Sequence, residues 1–502
     1  MNTKDKYDVI VIGAGIGGLT CGALLAKEGL SVLVAEQHSI PGGCCTSFQR
    51  KGFTFDVGTD LFPGGGRGEL IYDTLEALGL IDEIEFIELT PPTRIVGSDY
   101  NLPLTPLDNL AKELKSMFPG EALSIDAFVQ DCKASTSELL ALADTSFDLL
   151  GLGSKMRFIL KFLLKSTRFR KYSGISYQQV LTKFFKEPKL RTILGAVLPH
   201  VHGWSANNHM LIGFPGSFYY PRGRAQALAD VFARGVTKHG GDLSLKTSVR
   251  KIVVEDKKAT GVELADGKII RSRYVVSGID GRQTFLNLVG EQHLNPKLVR
   301  ELRETRLTAP FFLISLGVNM DLRALGFDGA TIVYNRSDNI DDLWSGDPEK
   351  CSLWIMMHSL RDPSQAPEGM ATVQLMTPFP YDYMGYWKRN TDGTRGKEYT
   401  ELKEALADKL ITAAEKIIPQ LSQHIVYKDI ATPLTFERYT LNSEGASHGW
   451  FPTPGAKMRS QKTAIKNLYQ AGHWTFPGFS IFSVVISGKN AAQLVLKEVK
   501  RR

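Results

Sequence analysis

The chain has 502 residues, of which 43% are hydrophobic and 23% charged, the composition of an ordinary globular protein with two or three domain-sized cores. Its net charge of +7 comes without a nucleic-acid module or an arginine-rich arm, so we expect no nucleic-acid partner. The sequence has no low-complexity tract and no repeated segment, which excludes solenoids and propellers.

The cysteine pattern and the N-terminus indicate a cytoplasmic protein. The five cysteines have neither disulfide nor zinc-ligand spacing, which favours a reducing compartment. Lys4 and Lys6 precede an apolar run over residues 9–26, as in a signal peptide, but the glycines of this run have a separate explanation, so we expect no cleavage. Because no other uninterrupted apolar stretch reaches about 18 residues, no membrane span is predicted.

The first predicted elements are a strand, a glycine-rich turn, a helix and a second strand, at residues 7–12, 13–18, 19–27 and 30–35. The turn matches G-x-G-x-x-G in the context that a dinucleotide site requires. Gly13 allows a tight turn, Gly15 allows close approach of a pyrophosphate, and Gly18 allows close packing of the helix on the sheet. Glu36 can accept hydrogen bonds from ribose hydroxyls. The predicted contacts are Gly13, Ala14, Gly15, Gly17, Gly18, Glu36 and Gln37.

The segments that follow narrow the cofactor to FAD. Pro41-Gly42-Gly43 and Asp56-Val57-Gly58, with blocks at 219–223, 240–280 and 467–492, resemble the FAD oxidoreductases that include phytoene desaturases, carotenoid isomerases and retinol saturases. Amine oxidases are more distant relatives. The resemblance implies a Rossmann-type α/β FAD-binding domain, discontinuous in sequence, with an inserted α+β substrate domain. The pair Cys44-Cys45 is most similar to the retinol saturases.

The resemblance also assigns cofactor contacts beyond the first unit. They are Gly42, Gly43 and Cys44 beside the FAD, Val249 with its backbone at the adenine, and Gly472, Phe479, Ser480 and Ile481 in the C-terminal flavin motif. A helix over residues 480–497 would direct its N-terminus at the flavin pyrimidine ring, where its dipole favours the anionic reduced flavin. Gly488 in the middle of this helix predicts close packing, since glycine costs about 1 kcal/mol there.

The predicted elements divide the chain into two interleaved units. Residues 1–105, 215–295 and 460–502 form the FAD-binding domain, and 106–214 and 296–459 form the substrate domain, with strands at 311–318, 352–358 and 371–377 and a helix at 398–418. A hairpin joins strands at 259–264 and 269–277. No second G-x-G-x-x-G follows a strand, so NAD(P)H is expected to dock transiently, or another electron carrier replaces it.

Candidate catalytic residues are His473 and Trp474 inside the flavin motif. His473 would transfer a proton to carbon or hydrogen-bond the flavin or the backbone. Cys44-Cys45 would relay electrons or simply pack beside the pyrophosphate. Aromatic residues near the presumed site, either lining an apolar tunnel or packing in a core, are Trp204, Phe218, Tyr219, Tyr220 and Phe476. His200 and His202 lack a third ligand, and no metal site is predicted.

Residues 155–172 predict a basic amphipathic helix. Arg157, Lys161, Lys165 and Arg168 fall on one stripe, and apolar residues cover the rest. Such a helix either lies at a membrane surface or packs on its own protein. A membrane-facing helix would suit a peripheral protein on the inner face of a membrane, with an apolar substrate.

Three functions remain open. The first is hydride transfer between flavin N5 and carbon–carbon bonds of a carotenoid, retinoid or other polyene, as a desaturase or a saturase. The second is a redox-neutral cis–trans isomerase that uses reduced FAD. The third is a flavin- or lipid-binding protein without turnover. An amine oxidase would need an aromatic cage and a lysine–water pair at N5, which the sequence does not locate.

Overall fold

The structure is a computed structural model that describes residues 4–143, 149–172, 174–197, 217–456, 458–478 and 480–501. The strands are β1 (Lys6–Ile12), β2 (Val32–Ala35), β3 (Ser47–Arg50), β4 (Phe53–Asp56), β5 (Phe62–Pro63), β6 (Phe86–Glu88), β7 (Thr93–Val96), β8 (Asn101–Pro103), β9 (Phe218–Pro221), β10 (Asp242–Ser244), β11 (Val249–Glu255), β12 (Lys258–Leu264), β13 (Ile269–Ser277), β14 (Phe311–Val318), β15 (Thr331–Tyr334), β16 (Leu353–Met356), β17 (Ala371–Pro378), β18 (Ile425–Ala431) and β19 (Leu468–Gln470). The helices are α1 (Ile16–Lys27), α2 (Leu70–Ala77), α3 (Leu107–Met117), α4 (Ala122–Ala143), α5 (Leu152–Lys165), α6 (Thr167–Tyr172), α7 (Tyr177–Phe184), α8 (Pro188–Val197), α9 (Arg224–Lys238), α10 (Pro296–Glu304), the left-handed turn α11 (Tyr383–Lys388), α12 (Lys397–Ala414), α13 (Pro433–Thr440) and α14 (Ile481–Val499).

The first sheet has the strand order β10-β2-β1-β13-β12-β11, and β19 also pairs with β13. Its central strands are parallel. β12 and β13 form the predicted hairpin, and β11 extends it to an antiparallel arm of three strands. Side chains alternate between the two faces of β1, as the period of a strand requires. Val9 and Val11 pack with α1, α9 and α14, whereas Ile10 and Ile12 pack on the opposite face with residues of the antiparallel arm. This is the Rossmann-type α/β arrangement that the sequence predicts.

The second sheet has the order β18-β14-β17-β16-β15-β7-β8 and is antiparallel except for the pairing of β15 with β7. Apolar residues cover both of its faces. Phe312 and Ile314 face the core that contains α12, whereas Leu313 faces the core that contains residues of α3, α4, α7 and α8. The sheet and its helices form the α+β unit predicted for the substrate domain.

The predicted domain boundary at residue 105 does not coincide with the boundary of the second sheet. β7 and β8 precede residue 105, yet they pair with the second sheet through β15. These two strands are short, and their sequences carry no motif that would assign them to one sheet or the other. Within the second insertion, β14 coincides with the predicted strand at 311–318, and β16, β17 and α12 lie inside or within one residue of their predicted ranges.

The predicted helix over 155–172 is divided in two. α5 ends at Lys165 and α6 begins at Thr167, because Ser166 between them leaves the helical conformation, with φ −111° and ψ 51°. Within the described residues, no helix combines the length and the apolarity needed to cross a bilayer.

The N-terminal helix α1 and the C-terminal helix α14 meet backbone to backbone. A Cβ atom at Gly488 would lie 2.5 Å from the carbonyl oxygen of Gly17 and 2.9 Å from Cβ of Thr20. A Cβ atom at Gly17 would lie 2.8 Å from Cα of Gly472. The close packing predicted for Gly488 is therefore confirmed, and it joins the two ends of the chain at one place.

Replacing Gly488 with alanine should destabilise the protein. The gain in helix propensity is about 1 kcal/mol, but backbone atoms that cannot move aside oppose the new methyl group, and overpacking of this kind costs about 1–3 kcal/mol. The measurement is the midpoint of urea unfolding. Gly153→Ala in α5 is the matched control, since no atom lies within 4 Å of its Cβ position. Equal midpoints for both variants would contradict the close contact.

Candidate cofactor site

The loop between β1 and α1 has the conformation that its glycines predict. Gly13 has a φ of +92°, which favours glycine, and a Cβ atom at Gly18 would lie 2.3 Å from the carbonyl oxygen of Gly13. By contrast, a Cβ atom at Gly15 would meet nothing within 4 Å. Gly15 is the N-cap of α1 and offers no side-chain cap, and the first turn holds no acidic residue. The free N–H groups of this turn are therefore available to an anionic group.

Glu36 lies at the carboxyl end of β2, directly beside this loop. Its Oε2 atom accepts from the backbone N–H of Ala14 at 2.7 Å, and its Oε1 atom accepts from the backbone N–H of His38 at 2.8 Å. These two bonds fix the orientation of the carboxylate and leave further lone pairs for ribose hydroxyls. The neighbouring Gln37 is exposed.

The segment that leads to Val249, the predicted adenine contact, is hydrogen-bonded to Glu36. The backbone N–H of Glu36 donates to the carbonyl of Ser244 at 2.9 Å, and that of Thr247 donates to the carbonyl of Glu36 at 2.7 Å. Val249 follows two residues later, as the first residue of β11. Val249 therefore lies two residues from Thr247, which is hydrogen-bonded to Glu36, although the two segments are far apart in sequence.

The glycine pair at 42–43 lies against the first loop. The backbone N–H of Gly42 donates to the carbonyl of Ala14 at 2.7 Å, and a Cβ atom at Gly43 would lie 3.3 Å from Cα of Gly15. Both glycines have positive φ, 125° and 62°. The pair thus closes one side of the open space at Gly15.

The two cysteines after this pair are protonated thiols at neutral pH. Burial raises the pKa of Cys44 to about 11. Burial, with the nearby charge of Asp56, raises the pKa of Cys45 well above its usual value, and the Cys45 thiol donates to the carbonyl of Ala225 at 3.3 Å. Because the thiolate is the reactive form, the structure favours the packing interpretation of this pair over an electron relay.

The C-terminal motif forms a hydrogen-bonded loop at the start of α14. The backbone N–H of Gly472 donates to Oγ of Ser487 at 3.0 Å, and that hydroxyl pairs with Oγ1 of Thr475 at 2.7 Å. Ser480 is the N-cap of α14, its Oγ accepting from the backbone N–H of Ser483 at 3.2 Å, and Ile481 is the first helical residue. Phe479 lies outside the described residues.

His473 carries an enclosed polar atom. Its Nε2 atom is shielded from solvent and has no hydrogen-bond partner among the described residues. Burial lowers the pKa of the imidazole to about 4, so the ring is neutral at physiological pH. An enclosed atom without a partner is costly in a finished protein, and a bound group beside the loop would satisfy it.

Trp474 is held inside the protein. Its ring is 1% exposed and packs edge-on against Trp450, with ring centroids 4.9 Å apart, and its N–H donates to Oδ1 of Asn442 at 3.3 Å. His448 lies on the neighbouring loop, with Nδ1 paired to Oγ of Ser447 at 2.8 Å, and the sequence offered no motif that would have singled it out.

The predicted substrate aromatics are dispersed. Trp204, with His200 and His202, lies outside the described residues. Phe218 and Tyr219 lie on β9, half-buried, and the ring of Tyr219 packs edge-on against Phe86. Phe476 is 39% exposed on the loop before α14, where an aromatic ring is available to an apolar ligand.

Tyr220 belongs to a buried polar network that sequence reasoning missed. Its hydroxyl donates to Asp56 and accepts from Nε2 of Gln365 at 2.7 Å, and its ring stacks on His358, with centroids 5.1 Å apart. Asp60 accepts from Nη1 of Arg361 at 2.6 Å and pairs with Nε2 of His358 at 3.0 Å. The network joins the motif strand β4 and β9 to the loop after β16.

The charges of this network are matched. Burial alone would raise the pKa of Asp60, but the guanidinium of Arg361 and hydrogen bonds from His358 and Thr331 outweigh it and hold the pKa well below its usual range. The side chains of Arg361 and His358 are each 2% exposed. Asp60 follows the Asp-x-Gly motif by two residues, which is the signal that could have identified it. Arg361 and His358 stand in no motif.

The residues of the site fit an FAD. Four features of the site suit this cofactor, and they lie along one continuous set of elements. They are the open space at Gly15, the uncapped start of α1, the oriented carboxylate of Glu36 and the enclosed Nε2 atom of His473. The diphosphate would bind the α1 N-terminus, the ribose would bind Glu36, and the flavin would contact the 472–481 loop. Among the described residues, no three His, Cys, Asp or Glu side chains are grouped as metal ligands would be.

Comparison with known proteins supports this assignment. A family model described as flavin containing amine oxidoreductase matches residues 16–496. Prolycopene isomerase 1 of an Oncidium hybrid cultivar is 30% identical over 99% of this chain and 84% of its own, and the all-trans-retinol 13,14-reductase of Danio rerio is 27% identical over 93% and 82%. Cyclohexylamine oxidase from Brevibacterium oxydans has the same fold, with a TM-score of 0.63, 16% identity and coverage of 99% and 100%.

Glu36→Gln should weaken FAD binding about 10- to 100-fold. The NH₂ group of glutamine would face one of the two backbone N–H groups from which the carboxylate now accepts, and a hydrogen bond to a charged group contributes about 1.5–3 kcal/mol. The dissociation constant is measured by titrating FAD into the stripped protein and following flavin fluorescence. Glu28→Gln, exposed at the end of α1, is the control. An unchanged constant for Glu36→Gln would place the ribose elsewhere.

Asp60→Asn should reduce the free energy of unfolding by about 3–5 kcal/mol, since it leaves the buried Arg361 without its counter-charge. The Asp60 contribution is present above the unfolded carboxyl pKa of about 3.9 and is lost as pH falls toward the lower folded pKa, so the variant should also show a flatter acid dependence. Urea unfolding at several pH values measures both effects.

The control for this prediction is Asp328→Asn, whose partner Arg94 is 30% exposed. A partly exposed pair contributes about 0–1 kcal/mol. If the two variants lost equal stability, Asp60 would not be the counter-charge that stabilises the buried Arg361.

Proposed function

The chain belongs to the family of flavin-containing amine oxidoreductases, and we propose that it is an FAD-dependent enzyme acting on carbon–carbon bonds of a long apolar polyene such as a carotenoid or retinoid. One observation carries this proposal. Relatives named for acting on prolycopene and on retinol match the chain over nearly its full length, and the residues that would hold FAD lie inside the matched region. The bound flavin would supply hydride exchange at its N5 atom.

The protein's own residues would bind the cofactor, orient the substrate and enclose the reacting atoms. The α1 N-terminus and Glu36 hold the dinucleotide, and the loop at 472–478 holds the flavin end. His473 stays neutral, so its Nε2 atom can donate or accept a hydrogen bond without placing a charge beside an apolar substrate. The exposed ring of Phe476 offers apolar contact next to this loop. The site therefore positions the substrate and excludes water, and it does not depend on an ionised acid or base.

An amine substrate fits the site less well. An amine oxidase of this family would use a lysine at the flavin, and no lysine side chain is buried among the described residues. The buried carboxylates of the network, Asp56 and Asp60, are already paired with Tyr220 and with Arg361 and His358. No carboxylate of this network is left to bind a cationic substrate.

Two reactions on a polyene remain as candidates. Net hydride transfer, as a desaturase or a saturase, requires an electron partner, for which we propose transient docking of NAD(P)H or another carrier. Redox-neutral isomerisation with reduced FAD is the second candidate, and the observation that favours it is the similarity to prolycopene isomerase over 99% of the chain.

Anaerobic spectroscopy separates these reactions. The FAD-loaded protein, reduced with dithionite freed of excess, is mixed with retinoids and carotenoids, and flavin absorbance and polyene isomers are followed together. Oxidation of the reduced flavin by a polyene identifies a saturase, and isomerisation with the flavin still reduced identifies an isomerase. Bleaching of oxidised FAD by a more saturated isoprenoid identifies a desaturase.

We expect one of these three results with a polyene and none with primary amines. Flavin reduction by an amine would overturn the proposed substrate class. If FAD binds but no polyene reacts and lipid is retained on purification, the protein binds flavin and lipid without turnover, and the proposed activity is wrong.

A further inference from the structure

The positive charge of the chain is concentrated in one segment. Residues 152–172 contain seven Lys and Arg residues and no Asp or Glu. The whole chain has 60 basic and 53 acidic residues, so outside this segment the two signs balance at 53 each. The net charge of +7 is therefore not a diffuse surface property but coincides with α5 and α6.

The same segment exposes apolar side chains along one helical face. Met156, Ile159, Leu160 and Leu164 of α5 are 66%, 43%, 58% and 69% exposed. Their spacing of three, four and eight residues puts them on one side of the helix. They are four of the fifteen large apolar side chains that are exposed among the described residues, and no other helix of that part of the chain carries as many.

The rest of the segment is attached firmly to the protein. Arg168 of α6 pairs with Asp131 at 3.2 Å and with Glu138 at 3.6 Å, both on α4. Tyr172 is 1% exposed and donates to Oδ2 of Asp131 at 2.6 Å. These contacts hold α6 on α4, so α5 extends from a fixed base, with its apolar face in solvent.

We propose that α5 lies in the interface of an anionic lipid bilayer, with its apolar face among the acyl chains and its cations at the headgroups. An exposed apolar stripe and a local excess of positive charge on one helix are the two properties of an interfacial helix. A nucleic acid would use the charge but leave the apolar face in water, and a protein partner would not require charge of one sign. This inference does not rest on the proposed reaction, since lipid binding and turnover are measured separately.

Vesicle sedimentation tests the proposal with the full-length, FAD-loaded protein. Sucrose-loaded vesicles of phosphatidylcholine alone are compared with vesicles that contain roughly one-third phosphatidylglycerol. Wild-type protein should sediment with the anionic vesicles, at least tenfold more strongly than with the neutral ones, and added salt should weaken the binding.

Two variants separate the two contributions. Ile159→Gln with Leu160→Gln removes apolar contact and keeps the charge, and Arg157→Gln with Lys161→Gln removes charge and keeps the apolar face. Each should reduce binding to anionic vesicles at least tenfold. The control, Leu325→Gln with Val426→Gln, replaces exposed apolar residues outside α5 and should bind as the wild type does.

The proposal is overturned if the wild type fails to sediment with anionic vesicles, or if the α5 variants bind as well as the control. It is also overturned if the apolar variant changes only the oligomeric state measured by ultracentrifugation, because α5 would then contact a second copy. Thermal unfolding and FAD content of each variant, expected to equal those of the wild type, exclude misfolding as the cause of lost binding.

Discussion

The close approach of α1 and α14 is the constraint on which the rest of the cofactor site depends. Gly17 and Gly488 allow the two helix backbones to touch, and Gly472 brings the C-terminal loop to the same point. The start of α1, which would receive the diphosphate, and the start of α14, which follows the flavin loop, are thereby fixed relative to each other. Side chains at Gly17 and Gly488 would meet backbone atoms at 2.8 and 2.5 Å and would force the two ends of the cofactor site apart.

A second constraint acts between the two sheets. Asp56 and Asp60 extend from the segment after the first glycine loops, whereas His358 and Arg361 follow a strand of the second sheet. A buried charge without a partner costs far more than a paired one, so the two units are most stable when these groups meet. The network therefore fixes how the substrate unit sits over the motif strand, although none of its members need contact a ligand.

The parts that could be predicted from sequence are those determined by local pattern. The glycine loop and the hairpin of β12 and β13 each depend on residues close in the chain, and the structure has both where they are predicted. It also places Glu36 beside the loop, whereas its contact with the ribose stays a prediction. The pairing of β7 with β15 and of Asp60 with Arg361 joins residues more than 200 positions apart, and no periodicity encodes such a partner. Tyr220 illustrates the limit, because an aromatic residue near the cofactor motif has the same sequence signal whether it faces a ligand or a buried aspartate.

The electrostatics of the site agree with chemistry at unactivated carbon. Burial keeps the imidazole of His473 uncharged and the thiols of the 44–45 pair protonated, while the fixed charges nearby are paired within the network. Hydrogen on a polyene chain has no useful acidity, so an ionised side chain at the reacting carbon would gain nothing from proton transfer and would lose solvation as the apolar substrate entered. A neutral side chain such as His473 at the flavin end avoids that cost and would leave the redox chemistry to the flavin. The neutral imidazole of His473 and the protonated thiols of the 44–45 pair are therefore the electrostatic features of the site that suit an apolar substrate.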